Sequence, residues 1–421
     1  MQSPKVSVII PVYKVENYLV QCLESVVNQT LREIEIIIVD EGDLDRCREI
    51  IDYYEKIDPR VVTIHEKNGG YGASVNKGID RATGEYIGIV ESDDFIELDM
   101  YEQLYAYAKK TGASVVKSSF YCYFDEKKHF VDASRKFINQ YVPINKKFSI
   151  VQFPHLLAIH PSLWSGLYKT AEMKEKHVRC IEAKGSGYAD ARFYVDIYTK
   201  MDSLAWLDIP FYHWRMTSEG SSCNNWNYSE ILKRWNENLD LFAYHPEQFE
   251  LFAPFFVTKS FFSIFRHYQV EKAFNIQEYQ DLVQYLNRFS SQHILTAPNL
   301  SEKQKQELMN CRNTPEQFLK ILQNTSGQAT SAVSPSPFDQ FSKICHRIVS
   351  DKKYWAVLFY SSLYFLLFGM ATGSGLYSFL LPRSLNIFLL NCSAVLSPLC
   401  IILLLVCCGL WMYRKMKKVS K

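Results

Sequence analysis

Apolar positions near the start of the chain switch repeatedly between two periods. Val6 to Val12 is a continuous apolar run of strand length; from Glu16 to Gln29, Tyr18, Leu19, Cys22, Leu23, Val26 and Val27 recur at helical spacing. The exchange repeats, with strands at Ile34 to Val39, Val61 to His65 and Tyr86 to Val90 and helices at Leu44 to Lys56 and Ala73 to Arg81. Strands alternating with helices predict a parallel sheet covered by helices, whose ligands bind beyond the carboxyl ends of the strands. The segments following the four strands are polar or turn-forming: Pro11-Val12-Tyr13, Asp40-Glu41-Gly42, Lys67-Asn68-Gly69-Gly70 and Glu91-Ser92-Asp93-Asp94. These tips are expected to converge on one crevice.

Further along, Ser114 to Phe124 predicts another strand, and Gly185-Ser186-Gly187 leads into a helix carrying Phe193, Tyr194, Ile197 and Tyr198. Tyr228 to Val270 is expected to be largely helical, and its aromatic stripe, including Trp235, Phe242, Phe252 and Phe256, to pack a core. Gln277 to Leu322 continues as amphipathic helix, and Asn324 to Pro337, rich in Ser, Thr, Ala and Pro, predicts a flexible linker. Between Tyr354 and Tyr413 the sole charged side chain is Arg383. Two apolar segments there, 354–372 and 386–413, are long enough to cross a bilayer. Lys343, Arg347, Lys352 and Lys353 precede the first span, and Arg414, Lys415, Lys417, Lys418 and Lys421 follow the second, which predicts cytoplasmic flanks. The expected organisation is a catalytic domain over 1–220, divided near 110, a helical extension over 221–323, a linker over 324–340 and a membrane anchor over 341–421.

Composition narrows the chemistry. In a chain of 421 residues, 47 Lys and Arg nearly balance 45 Asp and Glu, leaving no net field to recruit nucleic acid. Eleven cysteines form no Cys-x-x-Cys pair and no zinc spacing, so a reducing compartment is expected. The apolar run before Pro11 is too short for a secretory signal, which places the catalytic domain in the cytoplasm. The strongest chemical signal is the acidic end of the Tyr86 to Val90 strand. On an extended backbone Glu91 and Asp93 would point to one side and Ser92 and Asp94 to the other. Two carboxylates on a rigid tip are hard ligands suited to Mg²⁺ or Mn²⁺ and a substrate diphosphate.

Several spaced motifs carry a family resemblance. Val6-Ser7-Val8-Ile9-Ile10-Pro11-Val12-Tyr13, Asn28-Gln29-Thr30, Val39-Asp40, Asn68-Gly69-Gly70-Tyr71-Gly72-Ala73-Ser74-Val75-Asn76-Lys77-Gly78-Ile79, Gly84-Glu85-Tyr86-Ile87 and Glu91-Ser92-Asp93-Asp94 together resemble the family 2 glycosyltransferases of the GT-A fold, in the right order over about residues 5 to 110. The resemblance implies an α/β, Rossmann-like nucleotide-diphospho-sugar transferase domain, here followed by the helical region and a two-helix transmembrane hairpin. It also implies sugar transfer from a nucleotide-sugar donor with inversion at the anomeric carbon, on a divalent metal.

In those terms Asp40 corresponds to the acid that hydrogen-bonds the donor base, and a carboxylate accepting an imide N–H favours uridine. Pro11, Tyr13 and Glu16 would line the base and ribose pocket; Asn68 and Asn76 belong to the Gly-containing turn that approaches the ribose-diphosphate; Glu91, Ser92 and Asp93 would close the site, with Asp93 the principal metal ligand. Asp190, at the start of the later helix, corresponds to the base that takes the acceptor proton. His213 would be a further metal contact, and Trp164 would stack on an acceptor sugar. The sequence departs from the family at Glu91 and Glu41, usually Asp, at Lys14, often Asn, at Val75, commonly Arg, and at Ala189, where a Glu commonly precedes the catalytic Asp. A glycan or polyprenyl-linked oligosaccharide is the expected acceptor. The alternatives are a processive polysaccharide synthase, which would carry Gln-x-x-Arg-Trp where this chain has Ile231 three residues before Arg234-Trp235, or a membrane-tethered scaffold that binds nucleotide sugar without turnover.

Overall fold

The computed structural model describes residues 3–42, 46–124, 129–131, 142–144, 146–158, 162–183, 188–218, 228–243, 245–262 and 276–316. The contact pattern divides the chain into Met1–Ser326 and Gly327–Lys421, and every described residue belongs to the first unit. The expected linker and both apolar segments, 354–372 and 386–413, lie outside the described residues, as does the Gly185-Ser186-Gly187 loop. Among the described residues no helix is long and apolar enough to cross a membrane.

The first part of the chain follows its periodicity. Strand β1 (Val6–Val12) leads to α1 (Leu19–Val27), β2 (Ile34–Asp40), α2 (Arg46–Ile57), β3 (Val61–His65), α3 (Tyr71–Arg81) and β4 (Tyr86–Ile89). Every residue of β1 and β2 is buried, as a parallel strand covered on both faces requires. Helix α1 starts at Leu19 rather than Glu16 because Lys14 adopts a left-handed φ of 54° and the Tyr18 N–H closes a turn on the Val15 carbonyl at 2.9 Å. Then come β5 (Phe95–Ile96), α4 (Met100–Thr111), β6 (Val115–Phe124), β7 (His129–Val131), β8 (Lys147–Phe148), a 3₁₀ turn at Pro154–Ala158, β9 (Gly166–Lys169), α5 (Thr170–Glu175), α6 (Asp190–Thr199) and β10 (Leu204–Arg215).

The described strands form one sheet in the order β3-β2-β1-β4-β9-β6-β10-β5, with β7 against β6 and β8 against β10. β1 pairs in parallel with both β2 and β4, so the chain reverses its direction of winding at β1. The crevice beyond the carboxyl ends of β1 and β4 is therefore where this architecture opens a ligand site. The other half of the sheet is mixed: β9 runs antiparallel to β4 and β6, β10 parallel to β6, and β5 antiparallel to β10.

The extension consists of α7 (Tyr228–Asp240), α8 (Pro246–Ser260), α9 (Ile276–Leu286), α10 (Ser291–Leu295) and α11 (Glu302–Asn313). The long helical stretch expected from Tyr228 is broken, and Pro246 opens α8, a position where the missing N–H costs nothing. Trp235, Phe242, Phe252 and Phe256 are buried, so the described part of the aromatic stripe packs as core.

One close approach sets the wall of the crevice. Gly72, in the first turn of α3, lies against the Ile181 carbonyl and the Ala189 side chain, and an added methyl would collide with that carbonyl. Gly72→Ala is expected to cost roughly 1–3 kcal/mol and to displace the segment leading to α6. Chemical denaturation and transfer assays check both; an unchanged midpoint with unchanged activity would remove this contact from the account.

Candidate active site

The acidic cluster does not continue strand β4, which ends at Ile89; the Asp94 N–H bonds to the Glu91 carbonyl at 3.0 Å and closes a turn. The turn still separates the side chains: Glu91 and Asp93 are half-buried, whereas Ser92 and Asp94 are buried. It is fixed from β10. The Glu91 N–H donates to the Tyr212 hydroxyl at 3.0 Å, and that hydroxyl donates to Asp94 Oδ2 at 2.8 Å. The Arg215 N–H donates to Asp94 Oδ1 at 2.7 Å, and Arg215 Nε donates to the Asp93 carbonyl at 2.8 Å. Burial, with Asp93 adding like charge, pushes the Asp94 carboxyl well up. Asp94 and Arg215 are thus the framework of the acidic turn. Neither was assigned a role from sequence, and the available signal was a lone cation ending an aromatic strand.

Glu91 accepts from the Tyr71 hydroxyl at 2.6 Å. Burial raises its pKa to about 8; the Tyr71 hydrogen bond opposes the rise, and the charges of Asp93 and Asp190 reinforce it. Asp190 opens α6, with Ala189 before it as helix cap, and is half-buried. Its pKa is raised by burial, while Lys259 and the N–H groups of the helix start favour its anion. Asp190 is brought toward the acidic turn through α3, where Gly72 lies against the Ala189 side chain and the Tyr71 hydroxyl reaches Glu91, although Asp190 stands 97 positions after Asp93 in sequence.

The nucleotide side is set by register. Val12 pairs with Asp40, and the Val90 N–H bonds to the Ile9 carbonyl at 3.0 Å, so the β2 and β4 tips flank that of β1 on one edge. Pro11 is buried in β1, Tyr13 is exposed with the Lys14 ammonium 5.1 Å from its ring centroid, and Glu16 is exposed. Asn68 is exposed, and its Oδ1 accepts from the Gly70 N–H at 3.0 Å, an Asx turn that starts α3.

Other expected contacts are made within the protein. The Asp40 carboxylate is fully buried: Oδ1 accepts from the Gly42 N–H at 3.0 Å, and Oδ2 lies 2.6 Å from Arg48 Nε and 3.0 Å from His65 Nδ1. It caps the end of β2, and accepting a base N–H would require one of those partners to yield. Asn76 is buried and grips the Cys180 backbone with both ends of its amide, donating to the carbonyl at 3.0 Å and accepting from the N–H at 2.9 Å. That clamp ties α3 to the segment before α6 in place of the expected ribose contact. His213 does not join the acids: its Nε2 lies 2.8 Å from Glu97 Oε1, and its ring stacks on Phe95 at 4.3 Å and on Tyr121 at 5.0 Å. Burial lowers its pKa. A buried ring in an aromatic stack replaces the expected metal contact. Trp164 is 6% exposed and stacks on Tyr212 at 4.1 Å, so its face is taken by the protein rather than left for an acceptor sugar.

Glu91 and Asp93 fit a divalent cation as a donor set. They are hard carboxylates on a pinned turn, and the charge of Asp93 disfavours that of Glu91. Two protein oxygens suit Mg²⁺ or Mn²⁺, which commonly completes its shell with water and substrate phosphate.

A sheet that reverses winding beside an acidic turn defines the α/β class of proteins whose ligands bind at the strand tips. Residues 7–192 match the model of Glycosyl transferase family 2, and the chain carries a glycosyltransferase domain of that family. EpsH of Bacillus subtilis is 31% identical over 241 residues, 57% of this chain and 66% of that one. The cholesterol galactosyltransferase of Borreliella burgdorferi is 27% identical over 334 residues, 71% of this chain and 91% of that one. In fold the chain resembles S. aureus TarS in complex with UDP, with a TM-score of 0.60, 17% identity, and coverage of 78% of this chain and 94% of that one. The chain spans between 32% and 66% of the length of EpsH and three other curated bacterial relatives.

Proposed function

We propose that the protein is an inverting, divalent-metal-dependent glycosyltransferase that moves a sugar from a uridine-diphosphate sugar to a hydroxyl of a glycan or polyprenyl-linked oligosaccharide at a membrane. The observation that carries this reading is the packing of the α6 start on α3 beside the acidic turn, where Gly72 lies against the Ala189 side chain next to Asp190 and the Tyr71 hydroxyl donates to Glu91 at 2.6 Å. Relatives of the same fold support the donor class, since TarS has been crystallised with UDP and with UDP-GlcNAc.

In this reading the diphosphate lies over the tips of β1 and β4, beside the exposed Tyr13 and the Asn68 turn. Asp93 and Glu91 would hold the cation, which neutralises charge on the departing diphosphate. Asp190 accepts the proton of the acceptor hydroxyl as its oxygen bonds to the anomeric carbon and the bond from that carbon to the diphosphate breaks. Attack from the face opposite the leaving group inverts the centre. Residues 354–372 and 386–413 would hold the enzyme beside a lipid-linked acceptor, raising the local concentration of both.

Membranes containing the full chain, incubated with labelled uridine-diphosphate sugars and Mn²⁺, should pass label into the lipid extract. Label confined to water-soluble glycan would overturn the lipid-linked acceptor. Donor binding with no turnover would overturn the enzyme in favour of a scaffold.

A further inference from the structure

The extension contributes a charge to the site that the matched domain does not contain. Lys259 stands near the end of α8, directly after the run Phe255-Phe256-Val257-Thr258 and well beyond residue 192. Its ammonium lies 5.5 Å from the centroid of the Tyr194 ring. Tyr194 is four residues after Asp190, so both occupy one face of α6, and Lys259 approaches that face. The approach is fixed on several sides. Tyr194 is buried and its hydroxyl donates to the Leu157 carbonyl; the His155 ring meets Phe255 of α8 edge-on at 5.1 Å; and Asn238 Nδ2 of α7 donates to the Ala191 carbonyl at 3.1 Å in the first turn of α6.

The charged and titratable groups facing Asp190 are Glu91 from the acidic turn, Tyr71 from α3, Cys180 from the segment before α6, and Lys259 from α8. Among these described groups Lys259 favours the Asp190 anion. Burial lowers the Lys259 pKa to about 8, and Asp190 draws it back up. An ammonium in so apolar a neighbourhood is costly by itself, and the carboxylate offsets that cost.

We propose that Lys259 is a positioning residue for the transfer reaction, its ammonium set against the Asp190–Tyr194 face of the helix, so that the helical extension completes the active site of the family 2 domain. This inference rests on Asp190 acting as the base.

The test compares Lys259→Met, Lys259→Arg, Asp190→Asn and the Lys259→Met/Asp190→Asn double variant in the full-length protein, with kcat and donor KM measured separately. Loss of the positioning charge is expected to lower kcat roughly 10- to 100-fold, with donor KM and the UDP-induced rise in melting temperature within about 2-fold of wild type. Lys259→Arg should recover most of the rate, because it restores the charge. In the Asp190→Asn background, removing Lys259 should cost nothing further, because the two act as a unit. A Lys259→Met enzyme with unchanged kcat, beside an impaired Asp190→Asn enzyme, overturns the role of Lys259 and leaves the base in place. Unchanged transfer by Asp190→Asn overturns the base itself, and the inference with it. Should Lys259→Met not fold, Lys259→Gln is read by the same comparisons.

Discussion

Replacing Asp190 with Asn is expected to lower the rate of sugar transfer by roughly 10²- to 10⁴-fold, the range that a positioned general base contributes. UDP should still raise the melting temperature as in wild type, because in the proposed reading the nucleotide lies on the β1–β2 side of the acidic turn, whereas Asp190 stands at the start of α6. The pH dependence gives the sign. Burial raises the Asp190 pKa, and the base works only when ionised, so wild-type transfer should fall as the pH drops through a value above the usual carboxylate range. The residual activity of the variant should lack that fall. Stability runs the other way. A carboxyl whose pKa is raised by folding contributes stability at low pH that is lost as pH rises from its unfolded value through its folded one. Asp190→Asn should therefore be at least as stable as wild type at neutral pH. A less stable and fully active variant would mean that Asp190 is a structural first-turn acid.

Arg215→Met is expected to have the largest effect on stability, a loss of about 2–4 kcal/mol, because it removes charged hydrogen bonds from a buried position. The guanidinium donates to the Asp93 carbonyl at 2.8 Å and to Gln21 Oε1 at 2.5 Å, and lies within 6 Å of the ring centroids of Tyr18, Phe95 and Tyr123. It joins α1, the acidic turn and the end of β10. The loss should appear as a lower urea midpoint with an unchanged slope. Weaker Mn²⁺ binding is expected alongside, because Asp93 would no longer be anchored through its carbonyl. Arg215→Lys should recover only part of the stability, since an ammonium cannot serve separated acceptors as a planar fork does. A midpoint within the error of wild type would show that the Arg215 guanidinium does not hold the turn.

The sequence by itself determined the half of the sheet that makes the nucleotide side. From β1 to β4 the periods of the apolar residues report burial by near neighbours, and right-handed crossovers leave little freedom in how such strands assemble. Expected and observed boundaries agree within a few residues there, and the acidic tip at Glu91–Asp94 is where the pattern placed it. Asp190 was legible at a helix start for the same local reason. Tertiary structure alone decided what surrounds those groups. Tyr212 and Arg215 pin the turn from up to 122 residues downstream, and β9 inserts antiparallel between β4 and β6; long-range pairing of this kind leaves no period in the chain. Packing also decided which polar side chains face a ligand. His213, Trp164, Asn76 and Asp40 all carry ligand chemistry by residue type, yet each is buried against protein partners that lie apart in sequence. Lys259 shows the converse, a residue that reads as an isolated charge on an apolar helix until α8 packs on the Pro154–Ala158 turn and brings it to Tyr194, one helical turn beyond Asp190. Local patterning records how much of a residue is buried, whereas what it is buried against depends on contacts made between distant parts of the chain.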